Sequence, residues 1–245
     1  MGDALEILEL RSAVAGAPAG LVREILETRL PAVAPPATEV EFDAWMWALF
    51  DLGLAAETLP EYALALDLYA KSIEYNRTSE LLRSAAMVRS GLCLEQLGRW
   101  MEAIGCYRQA ESGSAAWPES RALMLWRLGR LLRAAGDFED ASSTLGALFE
   151  LLPQPGIPQR EAELEYAACL EHAGKAEDAC VRLAVLAGEA HPVAVEAMVR
   201  LASLHLRLGR IPDAVLVLRR IASHPAAEAQ VRTAASIRLD QLSAD

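Results

Sequence analysis

Apolar residues in this chain of 245 residues recur every three or four positions, in stretches of a dozen or so residues closed by glycine or proline. That period gives a helix one apolar face, and no stretch alternates with the period of two that a half-buried strand requires. The pattern is sharpest from Ser84 to Pro153, where it runs twice in register around two turn glycines, Gly98 and Gly136. Seven positions before each turn stands Gly91 or Gly129, five after it Ala103 or Ala141, and nine after it Tyr107 or Leu145. Small residues at fixed distances from a turn predict two helices that cross closely. Leu94 and Leu132 four before the turn, Met87 and Leu125 eleven before it, and Trp100 and Phe138 two after it take the core positions that helical spacing assigns.

The register extends in both directions. Pro60, Gly98, Gly136 and Gly174 follow one another at 38 residues, and Gly209 comes 35 later. Five helix-turn-helix units are predicted, at about 41–77, 84–115, 122–153, 160–191 and 195–225. In the first, Leu52-Gly53 is the crossing pair, Ala65 and Tyr69 lie in the second helix, and Pro60 is placed in that helix's first turn, where its missing N–H costs little. The fourth keeps Tyr166, Ala167, Ala179 and Leu183; the fifth keeps Leu201-Ala202, Ala214 and Leu218, with Pro212 opening its second helix.

Upstream, residues 3–14 and 21–30 predict two short helices outside the register. The prolines of 31–38 forbid continuous helix, so residues 1–38 form a leading helical pair and link. Downstream, residues 226–245 predict a closing helix with Val231, Ala234, Ala235 and Leu242 on one face and Leu239 at its edge. Such a helix covers the apolar side that a last unit would otherwise expose.

Leu128-Gly129, Ala141 and Pro153, together with Gly91, Ala103, Tyr107 and Ala110, resemble the tetratricopeptide repeat. Its signature is a Leu-Gly pair and an aromatic in the first helix, an Ala and then an aromatic in the second, and a closing proline. The resemblance implies an all-α fold, a right-handed α-solenoid of helix-turn-helix repeats, and a non-catalytic module that binds other proteins. A spacing of 38 exceeds the usual ~34, so the helices or links should be about one turn longer than standard.

Composition narrows the function. With 23 basic against 34 acidic residues the net charge is -11, which opposes whole-surface attraction to nucleic acid or an anionic membrane. The first residues lack a signal peptide's basic and apolar regions, no run approaches the length of a membrane span, and cytoplasmic residence is the expectation. Cys93, Cys106, Cys169 and Cys180 form no Cys-x-x-Cys pair and read as reduced structural thiols. His191 and His224 each precede a proline, as ordinary punctuation before a helix rather than metal ligation. No nucleophile elbow, phosphate-cradling loop or His-Glu-x-x-His occurs, so neither enzyme nor cofactor nor metal is expected. Glu139-Asp140, Glu177-Asp178 and Asp213 suit the first turns of second helices through the helix dipole, and Asp137 suits an N-cap.

In the family resembled, the first helices line a concave groove. By offset from each turn, the groove positions include Trp47, Phe50, Asp51 and Leu54 in the first unit, and Ala85, Val88, Arg89, Leu92 and Gln96 in the second. They continue with Leu123, Trp126, Arg127, Arg130 and Ala134, then Glu161, Leu164, Glu165, Ala168 and His172, and last with Glu196, Val199, Arg200, Ser203 and Arg207. The carboxylate clamp of some relatives needs Lys and Asn where Phe50 and Leu54 stand, so that clamp is missing. Trp47, Phe50 and Leu54 are expected to bury against the N-terminal helices. The candidate partner-binding residues are Arg89, Leu92, Gln96, Leu123, Trp126, Arg127, Arg130, Arg200 and Arg207, facing an acidic and apolar protein segment. The sequence supports a scaffold or adaptor that holds a peptide or helix in this groove. Two alternatives stand beside it: a chaperone for secreted or assembling proteins, and a structural subunit joined through its ends or convex face.

Overall fold

The structure, a computed structural model, describes residues 2–33, 36, 38, 41–111, 118–189 and 191–244. Part of the proline link and the close of the second expected unit fall outside these residues. The described residues form α-helices joined by turns, with no strand among them. The chain divides into two compact units, residues 1–124 and 125–245.

The first unit holds α1 (Gly2–Val14), α2 (Ala19–Glu24), α3 (Phe42–Thr58), α4 (Tyr62–Tyr75), α5 (Glu80–Gln96), α6 (Trp100–Ala110) and the opening turns of α7 (Pro118–Ala135). After α2 the backbone passes through a π-helical turn, Ile25–Arg29, and a 3-10 turn, Leu30–Ala32. Ile7, Leu10, Val22 and Ile25 from this irregular start pack into one cluster with Leu49, Leu52 and Tyr69. Beyond the rest of α7, the second unit holds α8 (Phe138–Phe149), α9 (Gln159–His172), α10 (Ala176–Ala187), α11 (Val193–Arg207), α12 (Ile211–Ser223) and α13 (Ala229–Ala244). In α13, Ala235 is buried, and Val231, Leu239 and Leu242 pack against the cluster built by α9 to α12. Ala234, expected on that face, is exposed.

Four helix pairs are joined by the same backbone device. Gly98, Gly136, Gly174 and Gly209 have φ between 71 and 82°, the left-handed region that glycine enters without strain. At the first, Arg99 N–H donates to Leu94 C=O at 2.8 Å and Gly98 N–H to Glu95 C=O at 3.0 Å, the crossed bonds of a Schellman motif. The pairs Asp137–Leu132 and Gly136–Arg133, Lys175–Leu170 and Gly174–Glu171, and Arg210–His205 and Gly209–Leu206 repeat it. Asp137 stands at the N-cap position of α8, yet its side chain makes no capping bond.

Pro60 departs from its expected place. It lies in the turn before α4, at the position of the left-handed glycine, with φ at 30°. Glu61 N–H still donates to Ala56 C=O, but proline has no N–H for the second bond, and its ring favours φ near −65°. The first turn is therefore the strained one.

Crossing distances explain the glycines seven before each turn. A Cβ built on Gly53 would lie 2.6 Å from the Tyr69 ring, one on Gly91 2.4 Å from the Tyr107 ring, and one on Gly129 2.6 Å from Leu145. Extra length sits in the first helices: α3, α5 and α7 have 17, 17 and 18 residues, against 14 and 15 in α9 and α11. The third unit adds the link 150–158 before α9. Trp100 departs from the core reading. It is 60% exposed, beside the exposed Met101 in the first turn of α6.

Substitution at two glycines separates crossing from helix propensity. Gly91→Ala should lower stability by about 1 to 3 kcal/mol through overpacking against Tyr107. Gly105→Ala, in the same unit with nothing within 4 Å of the added carbon, should raise it by about 0.5 to 1 kcal/mol. Urea titrations of both variants would show the opposite signs. For the strained turn, Pro60→Gly should raise the melting temperature by roughly 2 to 5 °C, read by thermal circular dichroism.

Candidate functional site

Apolar side chains of α3 and α5, with the start of α7, leave an open pocket of about 410 Å³ in the first unit. One wall is Trp47 and Phe50, whose rings meet edge-on at 6.5 Å. The opposite wall is Ser120 and Leu123, and between them run Leu81, Leu82, Ser84, Ala85, Val88, Arg89 and Leu92 of α5. The reason for the space is a register effect. Thirteen positions before their turns, successive first helices carry Trp47, Ala85 and Leu123, so a methyl group stands where its neighbours are large.

Phe50 and Leu54 pack partly into the N-terminal cluster, as expected. Trp47 does not: it stays 40% exposed and lines the pocket. Its indole leans on Phe50, whose ring packs tilted against Tyr69 at 5.5 Å, so the wall is anchored through the core of α3 and α4.

Arg89 links the pocket to a set of polar contacts. The Tyr69 hydroxyl donates to Glu57, and Arg89 Nη1 donates to the same carboxylate at 3.3 Å. Burial first, and then the hydrogen bond to Glu57, push the Tyr69 phenol far above its ordinary range. Burial, reinforced by Glu57, pushes the Cys93 thiol up to about 12. The tyrosine and acid recur one unit later, where Tyr107 donates to Glu95 at 2.5 Å.

The other candidate residues divide. Leu92 and Leu123 line the pocket with Arg89, while Gln96 is exposed on the last turn of α5. Trp126, a candidate partner-binding residue, is 7% exposed, and its ring carries the Arg130 guanidinium at 5.4 Å. Arg127 is half-buried on α7. Arg200 bonds Glu196 of its own helix at 2.8 Å, and Arg207 meets Glu171 at 2.6 Å. Arg133, unsuspected from sequence, pairs with Glu165 at 2.5 Å. Such pairing reduces the basic character that the groove offsets alone suggested. Of the eight pocket residues outside the candidate set, Trp47, Phe50, Ala85 and Val88 lie at groove offsets, and the alternation of large, small and large thirteen before the turns was the signal that could have found Trp47 and Ala85.

The two histidines that precede prolines bond to the backbone. His191 Nδ1 accepts from Val193 N–H at 3.4 Å and His224 Nδ1 from Ala226 N–H at 3.3 Å, so each histidine caps the turn after it. The four cysteines are unbridged. Among the described residues no group of His, Cys, Asp and Glu is placed to hold a metal, and no helix is long and apolar enough to cross a membrane.

Comparison with known proteins agrees with this architecture. A tetratricopeptide repeat profile matches residues 50–121, 126–184 and 181–230. No curated protein sequence matches the chain. Among solved structures, YrrB, described as a TPR protein with an unusual peptide-binding site, is similar with a TM-score of 0.61 at 17% identity, over 78% of this chain and 91% of that one. The apo form of RapI is similar with a TM-score of 0.57 at 8% identity, over 98% and 84%. BtubC from P. vanneervenii gives 0.50 at 15% identity, over 100% and 92%. At these identities the likeness is one of fold.

Buried thiols give a check on the packing. Burial also pushes Cys169 up to about 11, so at pH 8 Cys93 and Cys169 should alkylate far more slowly in the folded protein than in urea. Both shifts are upward from 9.0, so folding favours the neutral thiol. Their contribution is intact below pH 9 and is lost as pH climbs through about 11 to 12, which a denaturation series should show as falling stability that Cys93→Ser lessens.

Proposed function

Because the chain belongs to the tetratricopeptide repeat family, we propose that it is a non-catalytic interaction scaffold holding a segment of a partner protein in the trough of α3, α5 and the start of α7. The observation that carries this reading is the pocket itself. Trp47, Phe50, Val88, Leu92 and Leu123 line open space on one face, and apolar surface of that kind marks sites that a partner covers. A trough between parallel helices suits a helix or peptide that lays apolar side chains into it. A pocket with fixed walls fits one defined segment better than the varied clients of a chaperone. Unbridged cysteines suit a reducing compartment such as the cytoplasm.

The test begins with crosslinking and affinity purification from the native host to recover the partner. Trp47→Ser should then weaken binding at least tenfold, about 1.4 kcal/mol, while helicity is retained, since Trp47 is already partly exposed. Charge reversal at Arg127 and Arg130 should weaken it less. Full affinity in the Trp47→Ser protein would move the binding face elsewhere, with the arginine pair the next to examine.

A further inference from the structure

We propose that the trough selects its partner through two features one helical turn apart: a bulky apolar side chain that fills the space over Ala85, and a carboxylate that takes the unused donors of Arg89. This rests on the reading of the trough as the binding face and specifies what it recognises.

The apolar half follows from the row Trp47, Ala85, Leu123. The gap above Ala85 is walled on both sides and floored by a methyl group, so a leucine, phenylalanine or methionine fits where an alanine would leave a void. The charged half follows from Arg89, the one ionisable side chain among the described residues lining the pocket. Its polar contact is a single 3.3 Å bond from Nη1 to Glu57. A guanidinium has five N–H donors, so most of the fork remains to be satisfied. A wholly apolar occupant would bury those donors unpaired, whereas a carboxylate meets the fork with two parallel bonds. Glu57 pairs with Arg89 through one oxygen and accepts from Tyr69 through the other, so it engages Nη1 alone and leaves the rest of the fork open.

Spacing sets the motif. Ala85 and Arg89 are four residues apart on α5, about 6 Å along its axis, so a helix lying alongside presents the two groups at i and i+3 or i+4. The lined stretch of α5, from Leu81 to Leu92, covers twelve residues and about 16 Å, which is three turns of a bound helix. That length favours a peptide over a compact small molecule.

The experiment is selection of random 12-residue peptides displayed on phage against the full chain. The consensus peptide is then synthesised, and its binding to wild type, Ala85→Trp, Arg89→Gln and Arg89→Lys is measured by fluorescence polarisation. Selected peptides should share a bulky apolar residue with Asp or Glu three or four positions away. Truncating the apolar residue to Ala, or filling the gap with Ala85→Trp, should each weaken binding at least tenfold. Peptide Glu→Gln should cost at least fivefold on wild type and nothing further on Arg89→Gln, with partial recovery on Arg89→Lys. Should Ala85→Trp disturb the fold by circular dichroism, Ala85→Met and the peptide variants on wild type carry the same comparison. Peptides without an acid, or an equal Glu→Gln loss on Arg89→Gln, would overturn the motif while a block by Ala85→Trp leaves the trough as the binding face. Peptides indifferent to every Ala85 substitution would overturn both. So would a wild-type dimer that Ala85→Trp converts to monomer in sedimentation, since a second copy would then be the occupant.

Discussion

The structure depends on a contact between two side chains sixteen residues apart: a small one on the first helix of each repeat and a large one on the second. Gly53 faces Tyr69, Gly91 faces Tyr107 and Gly129 faces Leu145, at separations that leave no room for a Cβ. In the last two repeats the corresponding pairs are Ala167 with Leu183 and Ala202 with Leu218, each member buried. Where the partner is a tyrosine ring the small residue is glycine; where it is leucine, alanine suffices in two of three cases. Summed volume at the crossing is roughly conserved, as close packing demands. The two tyrosines also carry hydroxyls past the crossing to Glu57 and Glu95, so the residue that sets helix separation ties down the polar layer under the first helices.

Much of this was legible in the sequence, because the crossing and the turn are both local. Their residues lie within a few dozen positions of each other and repeat at fixed intervals, which periodicity detects. What it does not carry is depth. Trp100 and Phe138 share one offset, yet Trp100 is 60% exposed while Phe138 stacks on His172 at 4.5 Å, a difference that the offset alone does not carry. Pro60 satisfied a rule about first turns of helices, but the backbone needed its position for the left-handed residue of the turn.

The groove was harder to read for an electrostatic reason. Offsets placed arginines along the first helices, and a helix considered alone makes that face look basic. The acids that answer Arg89, Arg133 and Arg207 come from other helices 32 to 36 residues away. Pairing across that distance is invisible to a pattern confined to one helix. What remained distinctive was an omission, the missing bulk at Ala85, and an omission is visible only when neighbouring repeats are compared at the same offset.

The turns have one more implication. Each is closed by main-chain bonds alone, and the residue after the left-handed position makes no side-chain cap in any of the five repeats. That residue is Glu61, Arg99, Asp137, Lys175 and Arg210 in turn, two acids and three bases. A site indifferent to the sign of its charge is free to drift. These turns can acquire or shed an electrostatic identity during evolution without touching the crossings that hold the helices together, and the same latitude is open to anyone wishing to attach new chemistry to the scaffold.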